Sequence, residues 1–136
     1  TVIVQYNTNR NLVTQEIAPY PLLLSRDRVS VETAPVRILD PTHISMNFPN
    51  KISMHDFEGW VQERGLYFSS EWDEKFTPIL SSNDPDESPK KGGLLVASHG
   101  EGYYIYSGYS WFRELPAGVE GAYRMFTNLI SMGKDH

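Results

Sequence analysis

The chain has 136 residues and is 40% hydrophobic, with 8 Tyr, 6 Phe and 3 Trp, which fits one domain with a moderate core and excludes intrinsic disorder. Its formal net charge of -5 gives no electrostatic footprint for nucleic acid or an anionic membrane surface, and no apolar run reaches the roughly eighteen residues of a membrane span. The lack of cysteine removes disulfides, thiolate zinc sites and a Cys nucleophile, and it identifies no compartment.

At the start, Val2, Val4 and Tyr6 alternate with Ile3 and Gln5, the pattern of a largely buried strand. The chain enters this strand with neither an initiator Met nor a basic leader, so we expect a single domain over residues 1–136 cut from a longer protein. Residues 7–11 (NTNRN) are polar and turn-prone. Pro19 and Pro21 make 12–24 extended or irregular rather than helical. Residues 28–32 alternate as a short strand, and 36–39, bounded by Pro35 and Pro41, form another.

A first helix is expected over about 54–64. Ser53 is placed as its N-cap, with Asp56 completing an approximate capping box. Phe57, Trp60 and Val61 recur at helical spacing, and Gly65 stands at the left-handed exit. That helix should bury Phe57, Trp60 and Val61 and expose Glu58 and Gln62. Residues 66–68 and 77–80 read as short extended pieces, and 81–93 (SSNDPDESPKKGG) as an exposed loop.

Residues 94–98 and 103–107 are two strands joined by His99-Gly100-Glu101-Gly102, whose glycines favour a hairpin. A second helix runs over about 119–132. Val119, Ala122, Tyr123, Phe126, Leu129 and Ile130 share one face, and Gly133 follows as a stop. Short strands with two main helices and a mixed sheet indicate an α/β or α+β fold.

Chemistry is harder to find. His43, His55, His99 and His136 are scattered without metal-ligand spacing. Glu58, Glu63 and Arg64 fit a solvated helix face, since carboxylates five apart on a helix diverge. Ser107-Gly108-Tyr109-Ser110 lacks the G-x-S-x-G pattern of a nucleophile elbow. The glycines of His99–Gly102 precede a strand, whereas a dinucleotide loop opens a helix. The aromatic residues are more suggestive. Trp60, Tyr67, Phe68 and Trp72 cluster, and Tyr109, Trp111 and Phe112 adjoin Arg113 and Glu114. Aromatic faces beside charges suit sugar stacking or an interface, while the same rings also suit a core.

Three long segments carry a resemblance: TVIVQYNTNRNLVTQEIAPYPLLLSRDRVSVETAPV, NFPNKISMHDFEGWVQERGLYFSSEWDEKFTPILSSNDP and GGLLVASHGEGYYIYSGYSWFRELPAGVEGAYRMFTNLISMG. Together they resemble the C-terminal region of large PIG-L (LmbE-like) deacetylases of Bacteroidetes. In those proteins a zinc-dependent N-acetylglucosaminyl deacetylase domain precedes a flavodoxin-like domain akin to class I glutamine amidotransferases. The resemblance implies that 2–6 is an interior strand of that domain, and it favours a periplasmic or extracellular location. The family's AHPDDE-type motif and later HxxH are absent, as is an amidotransferase Cys. The resemblance thus implies a domain with no catalytic or metal residue and no cofactor of its own, zinc being held by the parent's deacetylase domain.

The favoured expectation is a non-catalytic accessory domain that positions a glycan or supports assembly. Its partners would be the rest of the parent polypeptide, carbohydrate, or a second copy in a homo-oligomer. Candidate ligand-binding residues are Trp60, Tyr109, Trp111, Arg113 and Glu114. The alternative is an independent hydrolase using Asp/Glu with His55 or His99, which would gather His55, Asp56 and Glu63 around a deep pocket.

Overall fold

Alternation along the last two strands places a hairpin at the centre of the molecule. The computed structural model describes residues 1–5 and 18–133. Among these the elements run β1 (Val2–Gln5), β2 (Leu22–Val29), β3 (Val36–Ile38), β4 (Gly65–Trp72), β5 (Thr77–Pro78), β6 (Leu80–Ser82), β7 (Leu94–His99), β8 (Gly102–Ser107), α1 (Trp111–Glu114) and α2 (Glu120–Ser131), with 3-10 turns at Ile44–Met46 and Met54–Phe57. The fold is α+β with a mixed sheet. Tyr6, the turn expected at 7–11, residues 12–17 of the stretch 12–24, and His136 lie outside the described residues.

The main sheet has the order β1-β8-β7-β5. β7 and β8 pair antiparallel from Leu94↔Ser107 to His99↔Gly102, with Gly100 in the left-handed region at φ 59°. β1 lies parallel to β8, Val2 opposite Tyr104, and β5 is antiparallel to β7. Strand alternation buries both faces of the hairpin. Leu94, Val96 and Ile105 join the larger core with α2, whereas Leu95, Ala97, Tyr104 and Tyr106 form a second core with Leu24 and Phe76. The bulged β2–β4 ribbon and the β3–β6 ribbon complete the structure. Among the described residues β1 is a sheet edge with one neighbouring strand, and it is only partly buried.

Several expected elements differ. The first helix is a single 3-10 turn, Met54–Phe57. Its capping box forms, with the Ser53 N–H donating to Asp56 Oδ2 at 2.9 Å. Gly59 (φ 77°) and Gln62 (φ 66°) then turn the chain out of helical geometry. Phe57 and Trp60 are buried as expected, but Val61 is 37% exposed. Gly65 opens β4 instead of ending a helix, and an added Cβ there would collide with the Gly108 carbonyl. The expected strand 28–32 lies earlier, as β2, because its pairing with β4 begins at Leu22. In the expected loop 81–93, Ser81 and Ser82 are buried in β6.

Helix α2 forms where expected, and Gly133 follows it at φ 90°. Its buried face is Gly121, Ala122, Met125, Asn128 and Leu129, while Tyr123 and Ile130 are 51% and 49% exposed. The helix is rotated from the expected face because Gly121 lies directly against the Asp56 backbone. Asn128 adds a polar pin there: its Nδ2 donates to the Ser45 and Asn50 carbonyls, both at 2.8 Å. The Asn50 N–H returns a bond to Asn128 Oδ1 at 2.9 Å, so the buried amide is satisfied on both sides.

Candidate functional site

The segment from β8 into α2 carries most of the candidate residues, and the fold turns it largely inward. Tyr109 bridges to Gly65, and its hydroxyl shares a 2.9 Å hydrogen bond with Ser82 Oγ. Burial pushes the Tyr109 phenol up to about 12, so it stays a neutral hydrogen-bonding group. Trp111 Nε1 donates to Ser107 Oγ at 2.8 Å. Trp60 meets Tyr109 and Trp111 edge-on, at centroid distances of 6.2 and 5.5 Å. These rings fill one another's gaps as a packed aromatic core.

Two ionisable side chains are set into that core. Arg64 donates to the Ala34 carbonyl from Nε (3.0 Å) and a terminal nitrogen (2.8 Å), and to the Phe57 carbonyl at 2.6 Å. Its guanidinium lies 5.5 Å from the centre of the Trp60 ring. Glu114 is fully buried. It accepts the Val61 N–H at 2.6 Å and the Ser110 hydroxyl at 3.2 Å. Burial holds its carboxyl above the ordinary glutamate value, opposed by those two hydrogen bonds.

Of the candidate ligand residues, Trp60, Tyr109, Trp111 and Glu114 are therefore interior, and Arg113 lies at the surface. Arg113 Nε pairs with Glu63 Oε1 at 2.9 Å, and its guanidinium sits 5.0 Å from the centre of the exposed Phe112 ring. The structure thus brings Trp60, Tyr109 and Trp111 into one cluster, with Glu114 beside them and Arg113 outside it.

Surface relief lies elsewhere. A groove of about 390 Å³ runs between the chain at Glu32–Val36 and the turn at Met54–Gly59, with Arg64 on its floor. A neighbouring groove of about 480 Å³ shares Pro35, Val36 and Met54 and continues past Arg37 to Asn83 and Pro89. Both are shallow and open; the first sets Glu32, Glu58 and Arg64 among apolar side chains, and the second sets Arg37, Ser81 and Asn83 among them.

His55 and Asp56 share a separate cleft with Glu58, Glu120 and Arg124. His55 pairs with Glu58 at 3.1 Å on the surface, and Asp56 with Arg124 at 2.8 Å. Glu63 is held at Arg113 instead, so the three groups a hydrolase would gather are not gathered. Among the described residues no group of three or more His, Asp or Glu is placed to hold a metal ion. No described helix is long and apolar enough to cross a membrane.

Sequence reasoning missed Arg64, which the helical spacing assigned to a solvated face. The available signal was its position in an aromatic-rich stretch with Gly59 and Gly65 on either side, a poor context for a continuous helix. Comparison of the chain with known protein families, curated proteins and solved structures found no match.

Proposed function

We propose that this chain is a non-catalytic accessory domain that offers its open grooves to a glycan or to the rest of a larger protein. The observation that carries this reading is the use made of the buried charges. Arg64 and Glu114 have the low-dielectric surroundings that tune catalytic groups, yet Arg64 donates to backbone carbonyls and Glu114 accepts from the Val61 N–H and the Ser110 hydroxyl. Arg64, through the Ala34 and Phe57 carbonyls, holds the frame of the groove between Glu32–Val36 and Met54–Gly59, the β3 groove. The groove itself combines Ala34, Pro35, Val36, Met54 and Phe57 with the charged Glu32, Glu58 and Arg64, the mixed lining of a binding surface.

In the fuller form of the proposal, the domain belongs to a PIG-L/LmbE-like deacetylase and descends from a flavodoxin-like, amidotransferase-like unit. The parallel β1–β8 pair with α2 packed beneath it supports that descent. Among the described residues no group of His, Asp or Glu is placed for zinc, Asp56 being paired with Arg124 and His55 with Glu58. It would be bound by another domain.

Two measurements test the proposal. The chain alone, assayed on N-acetylglucosamine derivatives with added zinc, is expected to be inactive; metal-dependent turnover overturns the non-catalytic assignment. In the protein encoded by the complete reading frame, Met54→Glu on the groove floor is expected to raise KM several-fold with stability unchanged. An unaltered KM removes the positioning role.

A further inference from the structure

A different cleft, at the hairpin end of the main sheet, has the chemistry of a small-molecule site. It encloses about 240 Å³ between Tyr20, His43 and Lys75 on one side and Thr77, Ser98 and Tyr103 of the sheet on the other, over Val96. That space is on the order of eight water volumes. Its walls are fixed by the fold. The Tyr20 hydroxyl donates to the Ser98 carbonyl at 2.8 Å, and the Lys75 ammonium lies 4.6 Å from the centre of the Tyr20 ring.

The donor pattern is unbalanced in an informative way. His43 caps the Ile44–Met46 turn, its Nδ1 accepting the Ser45 N–H at 3.2 Å. Nδ1 is thus the lone-pair nitrogen, and the proton of the neutral ring sits on Nε2. Burial keeps the ring neutral by pulling its pKa below the ordinary value, against the weaker pull of Asp40. His43 and Lys75 are therefore obligate donors at this cleft. The hydroxyls of Thr77, Ser98 and Tyr103 can either donate or accept, and none of the described residues lining the cleft carries a carboxylate. The nearby acids are already engaged: Asp73 Oδ1 accepts the Lys75 N–H at 2.9 Å, and Asp40 Oδ1 accepts the Thr42 hydroxyl at 2.7 Å.

We propose that this cleft binds a small hydroxy-carboxylate, its carboxylate taken by Lys75 and His43 Nε2–H and its hydroxyls by Thr77, Ser98 and Tyr103. A charge-assisted bond to Lys75 supplies affinity, and the neutral imidazole fixes the orientation. The site stands independently of the accessory-domain reading, since it shares no residue with the β3 groove.

Calorimetric titration of the whole chain with D-gluconate, D-glucose and inorganic phosphate at low ionic strength tests the proposal. Gluconate is expected to bind at least about tenfold more tightly than the other two. Lys75→Met keeps the aliphatic stem and removes the charge, and should weaken gluconate binding about tenfold without shifting the thermal melt. His43→Asn retains an acceptor for the Ser45 N–H and deletes the donor, with the same expected loss; Thr77→Val provides a second probe that leaves the cap intact. Absence of saturable gluconate binding overturns the site. Equal binding of phosphate or glucose overturns the ligand class, and unchanged affinity in both Lys75→Met and Thr77→Val overturns the placement.

Discussion

Glu114 accepts the backbone N–H of Val61 at 2.6 Å across a sequence separation of 53 residues. This bond ties α1 to the loop that follows the Met54–Phe57 turn. The same carboxylate receives the Ser110 hydroxyl, so one buried group secures both ends of the junction.

Glu114→Ala leaves the Val61 N–H without its partner and is expected to lose about 2–3 kcal/mol in a denaturant melt. Glu114→Gln retains an acceptor and should lose less. The pH dependence has a definite sign. Burial raises the folded-state pKa, so the folded protein binds this proton more tightly than the unfolded chain does. The stabilisation is fully present below the ordinary glutamate value and is lost as pH rises through the raised one. The glutamine variant should lack that component when the two proteins are melted side by side across this window.

Trp60 contacts Phe57, Tyr109 and Trp111, and its indole N–H donates to the Asp56 carbonyl at 3.1 Å. Trp60→Ala should cost roughly 3–5 kcal/mol through loss of packing. Equilibrium unfolding in urea measures it, and a loss below about 1 kcal/mol would contradict the buried placement.

Gly121 has no room for a side chain, because a Cβ would run into the Asp56 backbone. Gly121→Ala is expected to destabilise by about 3 kcal/mol, despite alanine's higher helix propensity. Gly118→Ala is a useful contrast: the added methyl meets open space, but the backbone sits at φ 76°, so any loss there reports conformation alone.

Gln62 adopts φ 66°, a region that carries strain for a residue with a side chain. Gln62→Gly relieves it while keeping the N–H that donates to Glu32 Oε2 at 2.6 Å. The variant is expected to be more stable by up to about 1 kcal/mol, the gain being offset by the greater unfolded-state freedom of glycine. A thermal shift in the opposite direction would show that the left-handed turn is not strained.

The hairpin and α2 were legible because their patterns are local and repeated. Leu94 to Ser98 and Tyr103 to Ser107 formed two runs around a glycine turn, and the α2 periodicity persisted for three turns. The first helix was misread because Phe57 and Trp60 have helical spacing and a real capping box, while the departure depends on Gly59 and on a left-handed Gln62 that spacing does not reveal. The face of α2 was misassigned because Gly121 and Asn128 are buried without being apolar, one by close approach and the other by hydrogen bonds to residues far along the chain. Arg64 and Glu114 were hidden for the same reason: each has a hydrogen-bond partner remote in sequence, the Ala34 carbonyl and the Val61 N–H. Aromatic residues beside charges indicated a surface, and the structure assigns most of those rings to the interior.

The doubly covered β7–β8 hairpin has a consequence for how the molecule opens. Lifting either flanking layer uncovers one core while the other still clamps the same strands, so partial fraying does not release their amides. Hydrogen exchange in the central part of β7 and β8 should therefore require complete unfolding. The edge strand β1 should exchange through smaller fluctuations. The hairpin is then the last part of the chain to remember its native form as the protein comes apart.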